Sequence, residues 1–167
     1  MESDAKKTAL RMIPYGLYVL TAQGEDGGVA AATINWVTQA SFAPPLVAAG
    51  VKVDSGAYAL AKASRFFGLN VLGKEHTGMA YTFFKTHERD GMSIAGQSFA
   101  VSDNGTPLLE AVPAWLECKL VEVVEHGDHA IFVGEVIDAQ VKADIDGRPD
   151  DATLWLKDLG EKVFYGG

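Results

Sequence analysis

The sequence predicts a mainly β fold, with six or seven mostly antiparallel strands closing into a small barrel and two or three short helices. Two observations lead there. Short runs rich in β-branched and aromatic residues recur between Gly-, Pro- and Asp-rich punctuation. The two longest, Ala114–Val124 and Ala130–Val141, are joined only by EHGDH (125–129), as an antiparallel hairpin requires. Antiparallel runs at this spacing favour a barrel over a parallel βαβ sheet. No composition break or internal repeat divides the chain, so residues 1–167 are expected to form one domain.

Ser3–Met12 is expected to be a short helix capped by Ser3 or Asp4 and ended by Pro14. Gly16–Ala22 and Val29–Val37 read as strands around the turn QGEDGG at 23–28, and so as a hairpin. Pro44 and Pro45 break the pattern before a buried strand over Leu46–Val53. Ser55 can cap a helix through Ser64, with Tyr58, Leu60 and Ala61 facing inward, and Phe66–Leu72 returns as a strand. Glu75–Phe84 is expected to be a second helix. Lys85–Gly105 reads as about twenty residues of loop, a length that is usually functional. In the second long run Ile131, Val133, Ile137, Ala139 and Val141 share one face, with Glu135 the exception. Asp144–Asp151 is a polar turn, and Val163–Tyr165 is expected to add a short final strand.

Composition excludes several classes. Hydrophobic residues at 48% and charged residues at 22% are those of a globular chain, not a disordered one. Lys plus Arg total 14 against 22 Asp plus Glu, a net charge of −8 that repels nucleic acid, so an anionic group must find local donors. No run approaches the roughly 18 apolar residues of a membrane span, and the segment before Leu20 lacks the features of a signal peptide. One cysteine, Cys118, allows neither an internal disulfide nor a thiolate cluster, which suits a reducing, cytoplasmic setting.

The familiar linear motifs are missing: no GxGxxG after a strand, no GxxxxGK[ST], no HExxH and no GxSxG. His126, Asp128 and His129 could bind zinc or simply make a polar hairpin tip, and the tip is the commoner outcome. The acidic turn at 144–151 lacks the glutamate of a calcium loop and reads as solvated; no metal site is expected. Cys118, in mid-strand, reads as core packing.

The informative stretch is Ala31–Pro45, AATINWVTQASFAPP. Alternation would place Thr33, Asn35, Val37 and Gln39 on one face and Ile34, Trp36 and Thr38 on the other. Polar groups in an apolar strand must be satisfied. Water and backbone can do so, or a planar polar ligand laid against Trp36 can.

Three segments in order, YGLYVLTA (15–22), NWVTQASFAPP (35–45) and GDHAIFVGEV (127–136), resemble the flavin reductase-like group of FMN-binding split barrels. That group includes flavoredoxins and the reductase modules of high-molecular-weight rubredoxins. The resemblance runs from about residue 8 to the end; the chain has no CxxC pair and so no appended rubredoxin iron site. It implies a six- to seven-stranded antiparallel split β-barrel, a homodimer and bound FMN, or FAD. It also implies electrons taken from NAD(P)H or a protein donor and passed to flavin, dioxygen or a redox partner. A non-enzymatic FMN electron carrier, or a split-barrel binding protein without nicotinamide activity, is the alternative. By the resemblance, Thr33, Ile34, Asn35, Trp36, Val37, Thr38 and Ser41 hold the ring. Lys52, Ser55 and the amide of Gly56 are candidates for the phosphate, since a helix N-terminus favours anions, and Lys85 is a second cation. His129, in the GDH motif, is expected beside the flavin and nicotinamide, or else as a cap of the turn.

Overall fold

The computed structural model describes residues 2–142 and 144–167. In chain order the elements are α1 (Ser3–Arg11), β1 (Tyr18–Gln23), β2 (Val29–Ile34), β3 (Val37–Ser41), β4 (Leu46–Lys52), α2 (Gly56–Ser64), β5 (Phe66–Val71), α3 (Thr77–Thr82), β6 (Arg89–Asp90), β7 (Ser93–Ile94), β8 (Gln97–Val101), β9 (Pro107–Leu109), β10 (Ala114–Val124) and β11 (His129–Val141). Short 3-10 turns follow at Pro149–Ala152 and Leu156–Leu159. Seven strands form one antiparallel sheet in the order β2-β1-β5-β10-β11-β4-β3. Its outermost strands, β2 and β3, are successive in the chain and joined only by Asn35 and Trp36. A sheet whose two edges are tied that closely has to curl, which gives the split barrel.

The barrel interior is filled by residues such as Leu20, Val47, Val51, Phe67, Leu120 and Phe132, and α2 contributes Ala57 and Ala61. Phe67 and Phe132 meet with ring centroids 5.7 Å apart. Gly134 makes room for them: a Cβ there would lie 2.6 Å from Phe67 Cζ. A second apolar cluster lies on the other side of β1 and β5, where Leu17, Val19, Leu72, Phe83, Phe99 and Leu154 pack together. Burial on both faces explains why GLYVLTA and FFGLNVL are apolar nearly throughout, with Thr21 and Asn70 the buried polar exceptions.

Several expectations need correcting. The first helix begins at Ser3, with Glu2 at its cap position and no capping side chain, so Ser3 and Asp4 lie inside its first turn. On α2 the buried residues are Ala57 and Ala61, while Tyr58 and Leu60 are only half-buried. The second helix is confined to Thr77–Thr82. The stretch expected as loop over 85–105 carries β6, β7 and β8 between 89 and 101, and with β9 these form a small antiparallel sheet, pinned by buried Ile94 and Phe99. Its two-residue strands are too short to show a period, and its turns use Gly91 and Gly96 at positive φ. On β11 the apolar face read from the alternation points outward: Ile131, Ile137 and Val141 are exposed, while Ala130, Phe132 and Gly134 point inward. Val163–Tyr165 pairs with no strand; it lies beside the polar link between β2 and β3.

Candidate functional site

The link between β2 and β3 forms the floor of the site. Asn35 is buried and its Nδ2 donates to Tyr165 O at 3.1 Å. Trp36 packs over Gly50, whose absent side chain would meet the indole Cε3 at 3.0 Å. That contact, with the bond from Gly50 N to Trp36 O (2.8 Å), fixes the indole against β4. The Trp36 Nε1–H is buried and has no hydrogen-bond partner. A buried donor without an acceptor is costly, so it marks a position that calls for one.

His129 opens β11 and forms the opposite wall. Its Nδ1 is 2.9 Å from Asp128 Oδ1 and its Nε2 is 2.7 Å from the Tyr165 hydroxyl. The Trp36 and His129 ring centroids are 4.5 Å apart, and those of Trp36 and Tyr165 5.3 Å apart. The hydrogen bond from His129 holds the Asp128 carboxyl below its ordinary range. Burial pushes the Tyr165 phenol up; nearby Lys52 opposes that, and Asp128 and Asp54 reinforce it.

Between these walls lies a cavity of about 240 Å³, lined in part by Thr33, Ile34, Asn35, Lys52, Ser55 and His129. Ser55 and Phe84 also line an adjoining groove of about 750 Å³, bordered by β2, the first turn of α2 and residues 85–89. Gly56 and Lys85 lie in that groove. On the far side of Trp36, Val37 and Thr38 line a third recess with Asp128 and His129. The sequence-predicted residues therefore converge, with one exception: Ser41, at the far end of β3, lines none of the three. Of the segment 85–105 only residues 85–89 border the groove, and further on Ile94 and Phe99 are buried in the core.

Several side chains are already engaged. Thr33 Oγ1 donates to Ala80 O (2.7 Å) and its amide to Phe83 O (3.0 Å), tying β2 to α3. Ser55 Oγ accepts from Tyr58 N and donates to Lys52 O, so it acts as the helix cap. Thr38 and Gln39 are exposed and bond to neighbouring backbone. Of the polar run read from the sequence, Asn35 alone has a side chain that is fully buried. Lys52 Nζ is 3.6 Å from Asp54 Oδ1 and more than half exposed, free to turn toward an anion.

Sequence reasoning missed Tyr165, Asp128, Phe83, Phe84 and Leu156 as parts of the site. Leu156 and Tyr165 reach it only through the return of the C-terminal segment, and no local pattern announces that.

Residues 10–158 match the flavin reductase like domain. The chain belongs to the flavin reductase family. It is 32% identical over 151 residues to a flavin reductase of Pseudomonas putida, covering 90% of this chain and 84% of that protein. Among solved structures it resembles BorF, the flavin reductase component of a bacterial two-component tryptophan halogenase, at 26% identity and a TM-score of 0.75, covering 98% and 96% of the two chains. It also resembles the Streptomyces globisporus NADH:FAD oxidoreductase SgcE6, solved with NAD and FAD fragments, at 31% identity and a TM-score of 0.68, covering 78% and 76%. Other curated relatives are longer, and the match to this chain spans 22% of a putative diflavin flavoprotein of Synechocystis and 70% of an NADH:FMN oxidoreductase of Rhodococcus qingshengii. Among the described residues no cluster of three or more His, Cys, Asp or Glu could hold a metal, and no helix is long and apolar enough to cross a membrane.

Proposed function

We propose that the protein is an NAD(P)H-dependent flavin reductase that works as a cytoplasmic homodimer, takes FMN in preference to FAD, and hands reduced flavin or electrons to a partner protein. The observation that carries the flavin reading is the buried, partnerless indole N–H of Trp36, set between Asn35 and His129. A flavin's pyrimidine edge carries carbonyl acceptors, the chemistry that donor lacks. The cavity and its adjoining groove have the size of small-molecule sites.

The chemistry a flavin supplies when bound is acceptance of a hydride. The chain's residues bind and orient. Ile34 and Asn35 border the ring's position, with Trp36 in the neighbouring recess, and Lys52 offers charge for a phosphate beside the N-terminal amides of α2. Lys85 is the second cation, further along the groove. His129, oriented by Asp128, presents Nε2 to the hydride donor's side. The reaction needs no nucleophile from the protein, and none is assigned.

The dimer proposal rests on an apolar, exposed stripe. Ile131, Ile137 and Val141 on β11 and Val121 on β10 are 41–64% exposed. Register shifts skip Val121 and Ile137, leaving both apolar residues without a partner across the ladder. A second copy of the chain would cover them.

The deciding experiment is anaerobic. Purified protein is mixed with FMN, then with NADH or NADPH, while the visible flavin band is followed. The band should bleach at a rate that rises with protein concentration. Protein that neither binds flavin nor speeds bleaching above the rate of free FMN sinks the reading.

A further inference from the structure

The C-terminal segment makes a set of contacts that the proposed reaction does not explain. Tyr165 touches three of the residues assigned to the site: its hydroxyl meets His129 Nε2 at 2.7 Å, its carbonyl accepts from Asn35 Nδ2 at 3.1 Å, and its ring lies 5.3 Å from that of Trp36. Ionised Asp128 can only accept, so the proton of a neutral His129 sits on Nδ1 and Nε2 is an acceptor. The phenol must therefore donate to Nε2. An aromatic ring, a donor for His129 and an acceptor for Asn35 are also what a nicotinamide with its carboxamide offers. Exchange of one for the other leaves neither protein group unpaired.

The segment is also lightly held. Residues 163–167 join no strand, and Tyr165 is 44% exposed. Beyond Tyr165, Arg11 Nε donates to Gly166 O at 3.1 Å, the Arg11 guanidinium lies 4.3 Å over the Phe164 ring, Val163 N donates to Gly160 O, and the Val163 side chain packs at the edge of the core. Few contacts and no ladder permit movement without disturbing the barrel.

We propose that Tyr165 is a specificity-determining residue which competes with the reduced nicotinamide for His129 Nε2 and the Trp36 face, and so sets the affinity for the hydride donor. This rests on the reading of the site given above. While Tyr165 is seated, the donor-competent fraction of the protein is reduced, and the apparent affinity falls by that fraction.

The test uses flavin-loaded protein with Tyr165→Phe and Tyr165→Gly. Binding of tetrahydro-NADH, which cannot transfer hydride, is measured by titration calorimetry. Steady-state KM and kcat for NADH are measured alongside. Loss of one neutral hydrogen bond predicts about a two- to tenfold lower dissociation constant and KM for Tyr165→Phe. Tyr165→Gly should tighten binding further, and kcat should stay within about twofold in both. Weaker or unchanged analogue binding in both variants overturns the competition. Failure of NADH to reduce flavin on the unsubstituted protein instead overturns the reductase reading. Equal melting temperatures in the three proteins exclude a folding explanation; should Tyr165→Gly melt early, Tyr165→Phe, which keeps the ring, decides alone.

Discussion

Replacing Lys52 by methionine keeps a stem of similar length and removes the charge, which isolates the proposed contact with a flavin phosphate. The lysine now faces Asp54 at 3.6 Å, with the two side chains 57% and 70% exposed. Such a pair is worth a few tenths of a kcal/mol, so its loss scarcely touches stability. A phosphate carries close to two negative charges near pH 7. A charge-assisted hydrogen bond contributes about 1.5–3 kcal/mol. With more than half of the lysine in water, about 1 kcal/mol is the appropriate share, a roughly fivefold rise in the FMN dissociation constant. Lys85→Met should add a step of similar size if both cations reach the phosphate. Asp54→Asn should act in the opposite direction, because it releases Lys52. Riboflavin, which has the ring without the phosphate, is the control and should bind all variants within about twofold. Titration by flavin fluorescence quenching at fixed ionic strength reads each constant. Equal losses for FMN and riboflavin, or no loss for either lysine variant, would refute the phosphate assignment.

Asn70 is fully buried and clamps three strands: its Nδ2 donates to Val19 O (2.8 Å) and Thr21 Oγ1 (3.0 Å), and its Oδ1 accepts from Leu109 N (2.8 Å). Asn70→Ala should cost about 2–4 kcal/mol in urea unfolding, and a loss below 1 kcal/mol would mean that the clamp is dispensable. Burial, then the neighbouring Glu117, pushes the Cys118 thiol up to about 12; the native protein should not react with Ellman's reagent at pH 8, whereas the unfolded chain should release one equivalent. Ile137→Glu should shift sedimentation equilibrium from dimer to monomer with the melting temperature of the monomer unit preserved. Asp128 has its folded-state pKa depressed by His129, so its contribution to stability is present above the unfolded value of about 4 and lost as pH falls through the folded value; Asp128→Asn should flatten the acid limb of the melting curve below about pH 4.

Much of the barrel was legible because its strands obey local rules. The β1–β2 hairpin and the β10–β11 hairpin are each bounded by Gly- and Asp-rich turns, and Ser55 caps α2 as its position before an apolar helix implies. What failed failed for physical reasons. An alternation argument identifies a face of β11 but not which way it points. There the large Phe132 and the small Gly134 occupy the inside, and the aliphatic Ile131, Ile137 and Val141 remain exposed outside. The sheet of β6–β9 rests on long-range packing of Ile94 and Phe99, which composition does not display. In the site, the polarity of 33–41 was visible but its meaning was mixed. Thr33 secures α3, Thr38 and Gln39 face water, and Asn35 holds the C-terminal segment.

The site's position follows from the topology. A seven-stranded sheet that curls without closing leaves two unpaired edges, here β2 and β3, and an exposed edge must be covered or occupied. In this chain the edges are joined by Asn35 and Trp36. The backbone there cannot continue either ladder and must bridge the gap between them. The Thr33 amide on the β2 edge is satisfied by Phe83 O, whereas the Trp36 indole N–H is left without a protein partner. Polar groups that a closed barrel would consume internally thus remain available beside a cavity, with His129 entering from the first residue of β11 and Lys52 from the last residue of β4. Those two residues face each other in register across the β4–β11 pair. One strand pair therefore places a cation and an imidazole side by side on the lining of the same cavity. The gap that weakens the sheet is in this way what makes room for a flat ligand.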